Sequence, residues 1–129
     1  MKIEHLAIWV DDLEAMRAFY LKYFDITSGE KYTNAKNQYT AYFLNFGEGR
    51  TRLELMNKPG IAPATGQRGF TKGIARFTIS VGGKVKVNDL TELLRKDNYT
   101  ILSEPRTTGD GYYESVVSDP EGNYLEISS

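Results

Sequence analysis

One order of elements occurs twice in these 129 residues: a strand, a helix, then three more strands. A repeat of this kind limits the fold more than any single motif does. In the first copy, residues 3–10 are rich in strand formers, with Leu6, Ile8 and Val10 on one side and His5, Ala7 and Trp9 on the other. Asp11 and Asp12 stop the strand, and Asp11 with Glu14 resembles a capping box. Leu13, Met16, Tyr20, Tyr23 and Phe24 then recur at helical spacing. Strands are expected at about 26–32, 39–46 and 51–56, with Gly47-Glu48-Gly49 turning between the last two.

The second copy starts with a strand at 74–81, with Phe77, Ile79 and Val81 on one face and Arg76, Thr78 and Ser80 on the other. Gly82-Gly83 breaks it. Val87, Leu90 and Leu94 mark a helix, with Asn88 or Asp89 as its cap. Strands at 99–103, 112–118 and 124–128 follow, and Asp119-Pro120-Glu121-Gly122-Asn123 turns between the last two. The fold class is therefore α+β, built from two βαβββ modules at about 1–57 and 73–129. The stretch at about 58–72 is a linker or a loop at the edge of a site. Each half has about 60 residues, which is marginal alone, so the two are expected to pack as one domain.

The repeat brings four polar residues to equivalent strand positions. His5 precedes Glu54 by 49 positions and Arg76 precedes Glu126 by 50. Leu53 and Leu55 flank Glu54, while Leu125 and Ile127 flank Glu126. The apolar neighbours belong against a helix, so both glutamates face the other way, as do His5 and Arg76. A lone strand glutamate is usually just solvated, and an arginine beside acids is usually an ion pair. Four such residues at repeat-related sites suggest the floor of a pocket. His5, Glu54 and Glu126 are candidate metal ligands, a donor set that suits zinc, nickel, iron or manganese and leaves coordination positions open. Arg76 cannot ligate a metal and could take its place as counter-ion, leaving no cofactor. Trp9 shares the His5 face and could stack on a flat ligand, although a core or dimer contact explains it equally well. Aligning the two final hairpins without gaps sets Tyr42 against Glu114, which makes both candidate ligand contacts.

Composition removes other classes. The net charge of −1 offers no surplus to neutralise phosphates, so nucleic acid is not expected as a partner. Cysteine is absent, so there are no disulfides and no thiolate nucleophile or metal site. The longest apolar run, Leu6 to Val10, is far below the ~20 residues that cross a bilayer, and no membrane partner is expected. The charged start does not resemble a secretory signal, and a cytoplasmic location is expected. No phosphate-binding loop is present, and Gly66-Gln67-Arg68-Gly69-Phe70 lacks the strand-to-helix context of a dinucleotide turn.

Three stretches carry a resemblance: His5-Leu6-Ala7-Ile8-Trp9-Val10, Leu53-Glu54-Leu55-Met56, and Asp119-Pro120-Glu121-Gly122-Asn123-Tyr124-Leu125-Glu126-Ile127. Together they are similar to the vicinal oxygen chelate superfamily, which includes glyoxalase I, bleomycin resistance proteins and extradiol dioxygenases. Arg106 to Glu114, before the last hairpin, resembles the small bacterial glyoxalase-like proteins. The resemblance implies two modules whose curved mixed sheets surround a cleft, and a homodimer. It also implies metal ligands at His5, Glu54 and Glu126 and at the position of Arg76. There the family-like stretch would read His-Ile-Ala-Phe-Ser-Val, whereas this chain reads Arg76-Phe77-Thr78-Ile79-Ser80-Val81. In the glyoxalase I reaction a metal polarises the substrate oxygens and a glutamate shuttles a proton. By that resemblance Glu126 is the candidate base and Glu54 its counterpart.

Two functions are therefore expected from the sequence. The first is a glyoxalase-like protein acting on a small carbonyl or oxygen-rich substrate, by metal-assisted proton transfer of a lyase or isomerase type. The second is a non-catalytic protein that binds a small molecule or antibiotic without a metal, like the bleomycin resistance relatives. The retained His5, Glu54 and Glu126 favour the first, and Arg76 favours the second.

Overall fold

A computed structural model describes residues 1–47 and 51–129 of the chain. Two residues of the expected turn Gly47-Glu48-Gly49, Glu48 and Gly49, lie outside the described residues. Among the described residues the architecture is mixed α and β: two helices and two mixed sheets. The chain divides into two compact units, Met1–Pro63 and Ala64–Ser129.

The first unit contains β1 (His5–Trp9), α1 (Leu13–Tyr23), β2 (Thr27–Ser28), β3 (Tyr32–Asn34), β4 (Tyr39–Asn45) and β5 (Arg52–Asn57). Its sheet runs in the order β1-β5-β4-β2, with β3 also paired to β4. β1 and β5 are parallel; the other pairs are antiparallel. Leu13, Met16, Phe19, Tyr20 and Tyr23 line the buried side of α1. Tyr42 and Leu44 of β4 and Leu53 and Leu55 of β5 are buried on the helix side of the sheet. Fully burying one such leucine is worth about 1.5–3 kcal/mol, so this layer sets which way each strand faces.

Two details differ from expectation. The helix cap is Asp12, not Asp11: its carboxylate accepts the Ala15 amide at 2.9 Å. With Leu13 as the first helical residue, only Asp12 stands where a side chain reaches the third amide of the helix. The single strand expected at 26–32 is two short ones, interrupted at Gly29, where the amide bonds the Phe43 carbonyl at 2.9 Å and the chain then leaves the ladder.

The second unit contains β6 (Phe77–Ser80), α2 (Lys84–Lys96), β7 (Ile101–Thr107), β8 (Tyr113–Ser118) and β9 (Tyr124–Ser128), in the sheet order β6-β9-β8-β7. β6 and β9 are parallel, as β1 and β5 are. Val87, Thr91 and Leu94 are the buried residues of α2, and Ser115, Val117, Leu125 and Ile127 are buried on the facing side of the sheet. Thr91 and Ser115 share a buried hydrogen bond of 2.7 Å between these layers.

α2 begins earlier than expected. Gly83 is its N-cap, at φ 144°, so Asn88 and Asp89 lie within the helix and cap nothing. Asn88 instead accepts the Tyr113 hydroxyl at 2.8 Å. β7 starts later than expected and runs to Thr107, with register shifts before and after Ser103. It is an edge strand, which is where Pro105 can be tolerated.

No helix or strand occupies residues 58–76, so β6 is shorter than the strand expected at 74–81 and starts only at Phe77. The later part of the linker docks within the second unit. Arg68 bonds Asn123, Gln67 donates to the Tyr124 hydroxyl at 3.2 Å, and Phe70 meets the Tyr124 ring edge-to-face at 6.1 Å.

Candidate functional site

The sheet face turned away from α1 carries the polar residues of the first unit. By alternation it presents His5, Ala7 and Trp9 from β1, Arg52, Glu54 and Met56 from β5, and Tyr39, Ala41 and Phe43 from β4. Glu54 is the hub. Its Oε2 lies 3.4 Å from His5 Nε2, and its Oε1 accepts the Tyr39 hydroxyl at 2.7 Å. The other nitrogen of the imidazole, Nδ1, is held by Glu4, which also pairs with Arg52. The His5 bond, with help from the Arg52 charge, keeps the Glu4 carboxyl below its ordinary pKa. Phe43 braces the arrangement, edge-to-face with His5 at 5.4 Å and beneath the Arg52 guanidinium at 4.2 Å. Burial, reinforced by the bond to the Glu54 carboxylate and its charge, pushes the Tyr39 hydroxyl up to about 12.

Two carboxylates dominate the same face of the second unit. Glu126 is buried, with Oε2 taking Arg76 Nε at 2.5 Å and Oε1 taking the Thr78 hydroxyl at 2.8 Å. Glu114, also buried, has Arg106 at 3.8 Å. Burial raises the pKa of Glu114, and the charge of Glu126 and a hydrogen bond with it raise it further. Arg106 and Arg76 oppose that shift. The two carboxyls and two guanidiniums form a nearly neutral cluster.

The register confirms the internal equivalence at strand level. Glu54 sits opposite Ala7 on β1, and Glu126 opposite Thr78 on β6. His5 and Arg76 each lie two residues earlier, so they are counterparts. His5 and Glu54 meet within the first unit; Arg76, Glu126 and Glu114 meet within the second. Tyr42 joins neither group. The gap-free hairpin alignment fails by one residue: Tyr42 pairs with Leu55, so its repeat mate is Ser115, while Glu114 pairs with Ser128. Tyr42 therefore faces α1, where its hydroxyl lies 3.2 Å from Glu14 and Arg17 covers its ring.

Six residues of these clusters carried no role from the sequence: Glu4, Tyr39, Phe43, Arg52, Thr78 and Arg106. Thr78 was placed on the correct face, and counting by twos from Glu54's neighbours across β4 could have found Tyr39. Nothing local in the sequence marks Glu4 or Arg106.

Among the described residues, no three His, Asp or Glu side chains gather as metal donors. The donor chemistry agrees within each unit. The first supplies two atoms, His5 Nε2 and Glu54 Oε2, fewer than the three protein ligands of a catalytic zinc site. In the second, both Glu126 oxygens are engaged by Arg76 and Thr78. Neither unit taken by itself supplies the donor set of a resident divalent metal.

The family model described as the Glyoxalase/Bleomycin resistance protein/Dioxygenase superfamily matches residues 2–127. No curated protein matches the chain. Among solved structures, it is similar to the trypanothione-dependent glyoxalase I of Leishmania major: 26% identity, TM-score 0.75, covering 100% of this chain and 86% of that one. It is similar in fold to glyoxalase I of Zea mays at 23% identity and TM-score 0.79, covering 98% of this chain but 44% of the maize one. A glyoxalase family protein from Enterococcus faecalis, at 19% identity, has TM-score 0.77 over 99% of this chain and 97% of its own.

Proposed function

The chain belongs to the glyoxalase/bleomycin resistance protein/dioxygenase superfamily, and from that premise we propose that it is a small-molecule-binding protein working without a resident metal. The observation that carries this reading is the Arg76–Glu126 pair, 2.5 Å between Nε and Oε2. A guanidinium supplies positive charge beside Glu126 permanently, and it repels a divalent cation. It offers no Lewis acid, so an enediolate would lose the metal's stabilisation. The ligand is a small oxygen-rich compound, and the two units act together as one binding domain. A homodimer and a cytoplasmic location belong to the same proposal.

The test is metal content of protein purified without chelator, followed by calorimetric titration with zinc, nickel and manganese. Less than stoichiometric metal and no micromolar uptake are expected, with uptake gained in Arg76→His. About one metal per chain, lost in both His5→Ala and Glu126→Ala, would overturn the reading.

A second reading is favoured by the other cluster. The imidazole of His5 and the hydroxyl of Tyr39 each meet Glu54, which gathers a base, a hydroxyl donor and a carboxylate at one point. This is the equipment for moving a proton between adjacent carbons of a small carbonyl compound, as in a lactoylglutathione-lyase-like enzyme. In this reading Glu54 takes the proton in place of Glu126, the base expected from the resemblance, because Arg76 and Thr78 hold both Glu126 oxygens. Thioester formation from methylglyoxal and glutathione, abolished in Glu54→Gln, would establish this reading over the first.

A further inference from the structure

Beside the Glu54 cluster, within the first unit, lies an open cavity of about 480 Å³ lined by Tyr32, Asn34, Asn37, Tyr39, Lys58 and Pro59. Tyr39 connects the two: it lines the cavity and its hydroxyl serves Glu54. The volume falls in the usual range for small-molecule sites and admits a compound of one or two rings.

Aromatic surface is concentrated here and left in the open. Tyr32 meets Tyr39 at 6.0 Å between ring centroids, and Tyr39 meets Trp9 at 6.2 Å, both edge-to-face. Tyr32 is 54% exposed and Trp9 37%. Adjoining exposed rings are an unsatisfied apolar wall, which is the mark of a surface that receives something flat. Lys58 reaches over the Trp9 ring, its ammonium 5.3 Å from the centroid. Among the described residues no carboxylate pairs with it, and its flexible stem lets the charge swing to an incoming anion. Asn34 and Asn37 add amide groups at the rim, ordered by the Asn37 amide on Asn34 Oδ1 at 3.4 Å. Gln38, at φ 51°, adopts the left-handed conformation that turns this hairpin back towards the cavity.

We propose that this cavity is the subsite that selects the ligand, and that it takes an aromatic ring bearing a carboxylate: the ring against Tyr32 and Tyr39, beside Trp9, the carboxylate on Lys58. The inference rests on the reading of the chain as a small-molecule binder and gives that ligand a chemical class. A neutral sugar would use the rings and the amides but would leave the ammonium without a partner. A bare anion would use the ammonium but not the wall.

Trp9, the chain's single tryptophan, adjoins Tyr39 and Lys58 of the lining, so its fluorescence reports on the cavity through them. The probes are phenylacetate, the uncharged phenylacetamide, and acetate. Phenylacetate is expected to change the emission saturably, binding about fivefold more tightly than phenylacetamide, the preference expected of one partly exposed ion pair. Acetate is expected to have no effect. Lys58→Met should equalise the two aromatic probes, and Tyr32→Ala should weaken both while circular dichroism stays unchanged. No saturable response to phenylacetate up to about 10 mM overturns the proposal, as does equal affinity for the amide in the wild-type chain. The metal titration above reads different residues. A chain that binds metal yet prefers phenylacetate through Lys58 loses the metal-free reading and keeps this one.

Discussion

Removing the Tyr39 hydroxyl isolates what it does for Glu54. Tyr39→Phe deletes one hydrogen bond to a carboxylate, and a loss of about 1.5–3 kcal/mol in urea unfolding is expected. The pH dependence has a definite sign. The fold holds the Tyr39 proton to about 12 against an ordinary 10.0. Its contribution to stability is therefore complete below pH 10 and is lost as the pH rises from there towards 12. Ultraviolet titration should find a late tyrosine among the nine, missing in the variant. Glu114 has a raised pKa too, so its contribution is full below its ordinary 4.5 and falls as the pH rises through the folded value. Glu114→Gln keeps the shape and discards the charge. Its melting temperature should be flatter than the wild type's from pH 4 upward, and a steeper profile would contradict the assignment. At this scale, facing was legible in the sequence and partnering was not. The leucines around Glu54 and the Leu125–Ile127 pair around Glu126 fix which side each glutamate takes, because apolar strand positions seek the helix. Tyr42 went astray because alternation says nothing about register across a turn, and a one-residue slip moves a side chain to the other face.

At the scale of elements, the caps and turns carry separable shares of stability. Asp12→Ala should cost about 1 kcal/mol, the usual worth of an N-cap, and α2 has no equivalent side-chain bond to lose. Asp119→Ala should cost about 3 kcal/mol. Its buried carboxylate accepts the amides of Glu121 and Asn123 and the Asn123 side chain, at 2.7–3.0 Å. Equal losses in the two variants, measured by denaturant unfolding, would refute the ranking. The Asp-Pro-Glu-Gly-Asn stretch is therefore a device for folding the β8–β9 hairpin. Strand and helix identities could be read from the periods of two and 3.6. The α2 start was harder, because Gly83 caps through its backbone and leaves no side-chain signature.

For the whole chain, the proposal that both units form one domain has a direct check. Each unit alone falls in the size range where a core is marginal. Trp9 reports on the first unit only, whereas far-ultraviolet circular dichroism reports on both. The two signals should give coincident unfolding curves, and separated midpoints would mean independent domains. The repeat made the architecture legible at this scale. The exchange of histidine for arginine at position 76 was equally visible, but the bond that Arg76 makes was not, since its partner lies 50 positions away.

The parallel pairing of β1 with β5, and of β6 with β9, also governs how the protein is made. Among the described residues, β1 has no strand neighbour in its sheet except β5, and β6 none except β9. At about 5–20 residues per second, several seconds of synthesis separate each strand from its partner. During that interval the unit being made has its helix and a hairpin but no finished sheet. Each unit closes only when its last strand emerges, so the polar face with Glu54 or Glu126 is completed in the same event that completes the fold.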